Sequence, residues 1–348
     1  MRATDTSRRG FLKAAGAATA GPIILGAADK AGAKRPVLGS GEYTYEVIHD
    51  WGELPPSIQY GNTHGVCEDS QGNIYVHHTV NAASQSDDTM VVFDSKGKFV
   101  KSWGKQFKSG AHGLHIRKEG NEEFLYLCDM RHNIVTKTAL NGDVVFTLGY
   151  PKGSDFYKLD ADGKPLVKYS PTNLAIAPNG DIYVGDGYGS SYINQYNSKG
   201  EFIRTFGGKG SGPGELSCPH GITIDMRGPE PLLLVADRAN NRLQYFSLDG
   251  KHLKFVSGVN LPCHFHERKG VMVIPDLAAR VTLIDRNNQV IEHLGQGEDD
   301  WRKRRTLSRD NFVPGKFFCP HGACFDHEGI IFVVEWVEIG RVTKLRKV

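Results

Sequence analysis

Three things are scarce in this chain, and each scarcity closes off a class of protein. After the N-terminal leader, no segment approaches the roughly 18 apolar residues that a membrane-spanning helix needs, so no membrane span is expected. Charge of one sign is not in excess: 42 Lys and Arg oppose 39 Asp and Glu, a net charge of +3 over 348 residues. That is too little for a nucleic-acid partner. Apolar positions at 3.6-residue spacing are also missing, which excludes a solenoid of helical pairs. Glycine, by contrast, is plentiful at 41 residues and suits a chain with many turns.

What the chain does contain is a repeat. Cys218-Pro219-His220-Gly221 returns as Cys319-Pro320-His321-Gly322, and Thr63-His64-Gly65 and Ala111-His112-Gly113 are looser relatives. After each histidine comes an apolar run and then a strand-like segment, such as Asn73-Ile74-Tyr75-Val76 or Ile330-Ile331-Phe332-Val333. Asp181-Ile182-Tyr183-Val184 follows Pro171-Thr172, and Val271-Met272-Val273-Ile274 follows Pro262-Cys263, so two copies lack the histidine-glycine pair. Linking pieces such as Asn197-Ser198-Lys199-Gly200 and Leu248-Asp249-Gly250-Lys251 are hairpin signals. Equivalent points near 64, 112, 172, 220, 263 and 321 give six copies at a spacing of 43 to 60 residues. Short strands repeating at this period indicate an all-β, six-bladed β-propeller, expected as one domain over residues 40–348. A β-sandwich would not need six copies.

Residues 1–33 read as an address. Arg8-Arg9-Gly10-Phe11-Leu12-Lys13 precedes a weakly apolar Ala/Gly stretch with cleavage candidates near Ala31-Gly32-Ala33. This pattern predicts a twin-arginine signal peptide and a periplasmic or extracellular mature protein. Six cysteines would ordinarily suggest disulfides in that compartment. Their positions beside the repeat histidines and within strands argue instead for small buried thiols first and metal neighbours second, so few disulfides or none are expected. The basic run Trp301-Arg302-Lys303-Arg304-Arg305 is expected to be a solvated loop anchored by its tryptophan.

Each repeat histidine enters the innermost strand of its blade and so stands at one mouth of the central channel. His112, His220 and His321 fall on the second, fourth and sixth blades, about 120° apart around the axis. Three imidazoles converging in this way can bind one zinc ion and leave a fourth position open for water or substrate. The competing interpretation is that His-Gly is a turn preference and the rings only bond backbone. His64, on the first blade, breaks the threefold pattern and is assigned to the substrate pocket, and His264 is assigned to packing. Tyr188, at the end of an inner strand of the third blade, is flanked by His112 and His220.

The blades resemble NHL repeats, and Pro171 to Phe246 is similar to the lyase domain of peptidylglycine α-amidating enzymes. The matching residues are Pro171-Thr172-Asn173, Ile182 to Tyr188, Phe206-Gly207, Pro213-Gly214, Pro219-His220 and Val235 to Arg242, with His112-Gly113-Leu114 and Pro320-His321 beyond them. The resemblance implies zinc on His112, His220 and His321, Tyr188 as catalytic base, and Arg238 lining the active site as substrate clamp. The implied reaction cleaves the C–N bond of an α-hydroxyglycine, releasing glyoxylate and an amide. Without the resemblance, Tyr188 could equally be packed between blades, and Arg238 could pair with Asp186 or Asp237.

The chain also departs from that family. Where the family has an arginine at the end of the first blade's second strand, this chain reads His77-His78-Thr79, with no arginine from Gly61 to Lys98. His64, His77 or His78 are candidates for that role, and His64 and His78 are assigned to substrate binding. Gly322 replaces an aspartate that helps hold a structural calcium in the family, which counts against calcium here. Two functions follow: an exported, monomeric zinc-dependent lyase acting on a small polar or peptide-derived substrate, or a non-catalytic NHL propeller whose top face binds a protein, peptide or glycan. A calcium-dependent lactonase-type propeller ranks third, since the recurring residues are histidines.

Overall fold

The computed structural model describes residues 35–348, and the expected signal peptide lies outside them. Six antiparallel sheets follow one another along the chain, forming a six-bladed β-propeller. The first blade is Thr63–Glu68, Ile74–His78, Met90–Phe93 and Phe99–Trp103. The third is Asn173–Ile176, Ile182–Gly185, Tyr192–Tyr196 and Phe202–Gly207. The innermost strands of neighbouring blades pack beside one another around the channel. No helix among the described residues is long and apolar enough to cross a membrane.

The sixth blade is built from both ends of the described chain. Its inner strands Pro320–Phe325, Ile331–Glu335 and Arg341–Lys347 are extended outward by Tyr45–His49 and then Val37–Leu38. The sheet therefore reaches back to Val37, ahead of the expected start at 40. Strand composition follows from position. Second strands such as Ile182–Gly185 are buried at every residue because a blade lies on each face, whereas the outer Phe202–Gly207 is largely half-buried or exposed. The core is correspondingly a series of layers between blades. In one of them Ala175, Tyr183 and Ile193 of the third blade meet Ile222, Leu233, Val235 and Phe246 of the fourth.

The linking turns are held by their first side chain. Asn197 Oδ1 accepts from the Lys199 and Glu201 N–H groups at 3.0 and 2.9 Å, with Gly200 at φ 81°. The segment before Tyr188 is the second strand of its blade, not the inner one. Antiparallel pairing still brings Tyr188 to the histidine end of the channel, because Asn173 pairs with Gly185.

A buried ionic knot ties the last blade to the first. Glu335 and Arg341 are 0% and 1% exposed and bond to each other, and Glu335 also accepts from the Phe318 N–H at 2.7 Å. Thr63 of the first blade donates its hydroxyl to the Glu335 carbonyl at 2.7 Å. Removing one partner of such a pair strands a buried charge and typically costs about 3–5 kcal/mol. Arg341→Ala should lower unfolding free energy by that order in urea titrations, whereas a surface change such as Arg302→Ala should leave it within about 0.5 kcal/mol.

A histidine tier at the channel mouth

Each repeat histidine sits on a local irregularity of its inner strand. Pairing registers shift between Thr63 and Gly65, Ala111 and Leu114, Pro219 and Ile222, and Pro320 and Gly322. Bulges of this kind re-aim a side chain. The third blade has no histidine here, and its corresponding strand pair runs without a shift.

The next constraint comes from the neighbouring blade. His112 Nδ1 lies 2.6 Å from the Thr172 carbonyl, His220 Nδ1 2.8 Å from that of Cys263, and His321 Nδ1 3.0 Å from that of His64. A carbonyl only accepts, so each Nδ1 carries the proton and donates it. Each Nε2 is left with a bare lone pair, the state a metal-binding imidazole needs. The following glycine makes this possible. A Cβ at Gly113 would stand 2.6 Å from the Thr172 carbonyl oxygen, one at Gly221 2.8 Å from that of Cys263, and one at Gly322 2.6 Å from that of His64. The His-Gly pair is therefore a docking device between blades rather than a turn preference.

The three rings form a near-equilateral triangle, with centroids 4.8 Å (His112–His220), 4.7 Å (His220–His321) and 4.8 Å (His112–His321) apart. His64 joins them, 4.8 Å from His112 and 4.6 Å from His321, with Nδ1 3.4 Å from His321 Nε2 and Nε2 buried without a partner. Two groups of three donor atoms lie within 4.8 Å of one another: His64, His112 and His321, and His220, Cys263 and His321. His64 thus belongs to the donor cluster itself, although the threefold argument had set it aside. Its sequence signal was the same His-Gly pair. Burial holds His112 down at about 3 and His64, His220 and His321 well below the ordinary imidazole value, so all four are neutral at pH 7. Neutral imidazoles with buried, unprotonated Nε2 atoms, that of His64 without a partner, fit zinc.

Tyr188 and Arg238 complete the tier. The Tyr188 hydroxyl is 3.2 Å from both His112 Nε2 and His220 Nε2. Arg238 Nη1 donates to that hydroxyl at 3.3 Å, and Nη2 to Cys218 Sγ at 3.1 Å. Burial pushes Tyr188 up to about 12 against the pull of Arg238, so it is a phenol in the metal-free protein. Neither salt-bridge partner weighed for Arg238 is free to pair with it. Asp186 accepts from the Ser170 and Ser190 N–H groups and the Tyr157 hydroxyl, and Asp237 from the Ser217 N–H and Arg242. Among the described residues Arg238 forms no ion pair with a carboxylate.

Other expected residues fall elsewhere. His78 stacks edge-on against Tyr60 at 4.9 Å and accepts from the Val80 N–H, and no ring contact joins it to the tier. His77 is fully buried and is an electrostatic neighbour of His64 and His112. His264 is buried, with Nδ1 3.1 Å from the Ala323 carbonyl. In the basic run, Trp301 is buried but Arg305 is not simply solvated. It stacks 3.7 Å over Trp336, donates to Asn62 Oδ1 at 3.1 Å, and is an electrostatic neighbour of His64. No sequence signal placed a cation from that excursion near the first blade. A cavity of about 330 Å³ opens further along the inner strands of the second to fourth blades. Its lining has one histidine and no second ligand, so the chemistry places the candidate site at the tier.

Comparison with known proteins agrees with the propeller fold. A family profile described as a 6-bladed beta-propeller matches residues 166–271. The chain is 28% identical over 243 residues to rat peptidylglycine alpha-amidating monooxygenase, covering 61% of this chain and 23% of that protein. It is 29% identical over 223 residues to Drosophila melanogaster peptidyl-alpha-hydroxyglycine alpha-amidating lyase 1, covering 55% and 38%. The chain thus spans well under half the length of these relatives. A gluconolactonase structure from Xanthomonas campestris superposes with TM-score 0.60 at 13% identity, covering 90% and 96%, a likeness of fold.

Two outcomes follow for the metal-free and metal-loaded protein. Imidazoles held at about 3 (His112, His78) or about 4 (His77, His115) stay neutral when folded, while the unfolded chain takes up protons below about 6.5. The stability of metal-free protein should therefore be full above pH 6.5 and fall steadily from there toward pH 4, as measured by denaturant titration. Gly113→Ala should push away the Thr172 carbonyl and free the His112 ring, weakening zinc affinity about 10–100-fold in competition with a chelating dye.

Proposed function

We propose that this protein is an exported zinc-dependent lyase of the peptidyl-α-hydroxyglycine amidating type, acting on a small polar or peptide-derived substrate bearing a carboxylate. The observation that carries the proposal is the Tyr188 hydroxyl, placed between two metal-competent Nε2 atoms and touched by a guanidinium without a carboxylate partner. The relatives named as amidating lyase and monooxygenase support it, and the twin-arginine pattern supports export.

Each residue has a defined task. His112, His220 and His321, with His64 beside them, would hold zinc. A dication there would stabilise negative charge on an oxygen and favour loss of the Tyr188 proton. Arg238 can clamp a substrate carboxylate with two parallel hydrogen bonds. Once ionised, Tyr188 can take the proton of the α-hydroxyl. The oxygen electrons then close a C=O bond, the C–N pair leaves on nitrogen, and the Tyr188 hydroxyl returns the proton to nitrogen to give the amide. Arg305, bonded to Asn62 beside the first blade and paired with Glu338 at 3.7 Å, supplies positive charge on the His64 side.

Purified protein should carry about one tightly held zinc per chain, lost in His220→Ala. Tyr188→Phe should keep fold and zinc but lose about 10²–10⁴ in turnover of an α-hydroxyglycine substrate. Normal turnover by that variant would remove Tyr188 from the mechanism. Absence of metal in carefully handled protein would instead favour a binding propeller.

A further inference from the structure

The six residues at the head of the inner strands alternate in role. His112, His220 and His321 grip the carbonyls of Thr172, Cys263 and His64 on the next blade. Of the three residues whose carbonyls accept these bonds, Thr172 turns its hydroxyl to backbone, donating to Pro219 O at 2.7 Å, while His64 and Cys263 place side-chain donor atoms in the tier. Cys263 is fully buried, and its Sγ lies within 4.8 Å of donor nitrogens of both His220 and His321. Its nearest polar neighbours are weak ones, the Leu261 carbonyl at 3.5 Å and Arg238 Nη1 at 3.9 Å.

Charge balance gives this sulfur a purpose. A dication among neutral imidazoles, with the Arg238 guanidinium beside it, would gather three positive charges in a buried site, and neither donor set contains a carboxylate. Buried charge of one sign must be compensated. We propose that Cys263 is a metal ligand: its thiolate binds the zinc ion together with Nε2 of His220 and of His321, so that the centre carries sulfur as well as nitrogen. This rests on the zinc site proposed above. The thiol proton leaves to solvent as the sulfur–metal bond forms, and Arg238 is placed to donate to the bound thiolate. Zinc takes thiolate at about 2.3 Å and imidazole at about 2.0–2.1 Å, so the donors need only draw together around the ion. The other thiols nearby are engaged elsewhere. Cys218 Sγ accepts from Arg238 Nη2, and Cys319 Sγ faces the Trp301 carbonyl.

X-ray absorption at the zinc edge of the loaded wild-type protein tests this directly. One sulfur at about 2.3 Å is expected in the shell, and a shell of nitrogen and oxygen alone overturns the proposal while leaving the zinc site intact. With cobalt(II) in place of zinc, a sulfur-to-cobalt charge-transfer band in the near ultraviolet should appear in wild type and Cys218→Ser and vanish in Cys263→Ser. A band that survives Cys263→Ser, or vanishes in Cys218→Ser, overturns the assignment. Should Cys263→Ser fail to fold, the wild-type zinc shell and the Cys218→Ser band decide. A protein that takes up neither metal overturns the zinc site and this inference together.

Discussion

The hydrogen bond from a histidine Nδ1 to the first carbonyl of the next blade is the interaction on which this molecule turns. It occurs three times with threefold spacing, at 2.6, 2.8 and 3.0 Å. Structurally it stitches one blade to the next at the narrow end of the channel, where the glycine after each histidine lets the two backbones touch. Chemically it fixes the tautomer, and so the lone pair. Satisfying Nδ1 leaves the Nε2 lone pair of each ring turned into the buried tier, where it meets only the Tyr188 hydroxyl or His64 Nδ1. One feature thus contributes to stability on one nitrogen and prepares a ligand site on the other.

Much of this was legible in the sequence because the blades are buried on both faces. Second strands such as Leu232–Asp237 and Val271–Asp276 are continuous apolar runs, and the turn residues between strands have their own chemistry. What the sequence concealed is whatever depends on closure in space. The outer strands of the last blade come from residues 37–49, far from any repeat, since an outer strand carries no inward-facing signature. The closeness of His64 to the other rings is hidden in the sequence because a ring of six has neighbours as well as alternates: the first blade lies between the sixth and second, and its histidine falls against both His321 and His112. Cys263 reads from the sequence as a small buried thiol first and a metal neighbour second, and the fold brings its sulfur within 4.8 Å of donor nitrogens of His220 and His321. Arg305 comes from a non-repeating excursion, so no periodicity could place it.

The same geometry explains why the site is rich in nitrogen and sulfur but poor in carboxylate, although every blade after the first ends its second strand in an acid. Asp129, Asp186, Asp237, Asp276 and Glu335 all stand at the histidine end of the channel, and all are buried. Each is engaged within its own blade, Asp276 through one oxygen. Asp129 accepts from the Arg131 and His132 N–H groups, Asp186 from Ser170 and Ser190, Asp237 from Ser217, Asp276 from Arg280 and Thr282, and Glu335 from Phe318 and Arg341. The bonds to Ser170, Ser217 and Phe318 anchor the segment that leads into the same blade's inner strand, so these acids are structural by position. A calcium ion, which takes oxygen ligands, would have to displace most of these bonds. Zinc needs only the lone pairs the inter-blade bonds already expose. With the acids turned into the loops, Arg238 is left facing a phenol and two thiols, and its charge is available for an anion that arrives from outside, for a sulfur that ionises, or for both in turn. Under the proposed lyase reading, such a site would suit a substrate that brings its own carboxylate, because the acids at this end of the channel are engaged in the frame.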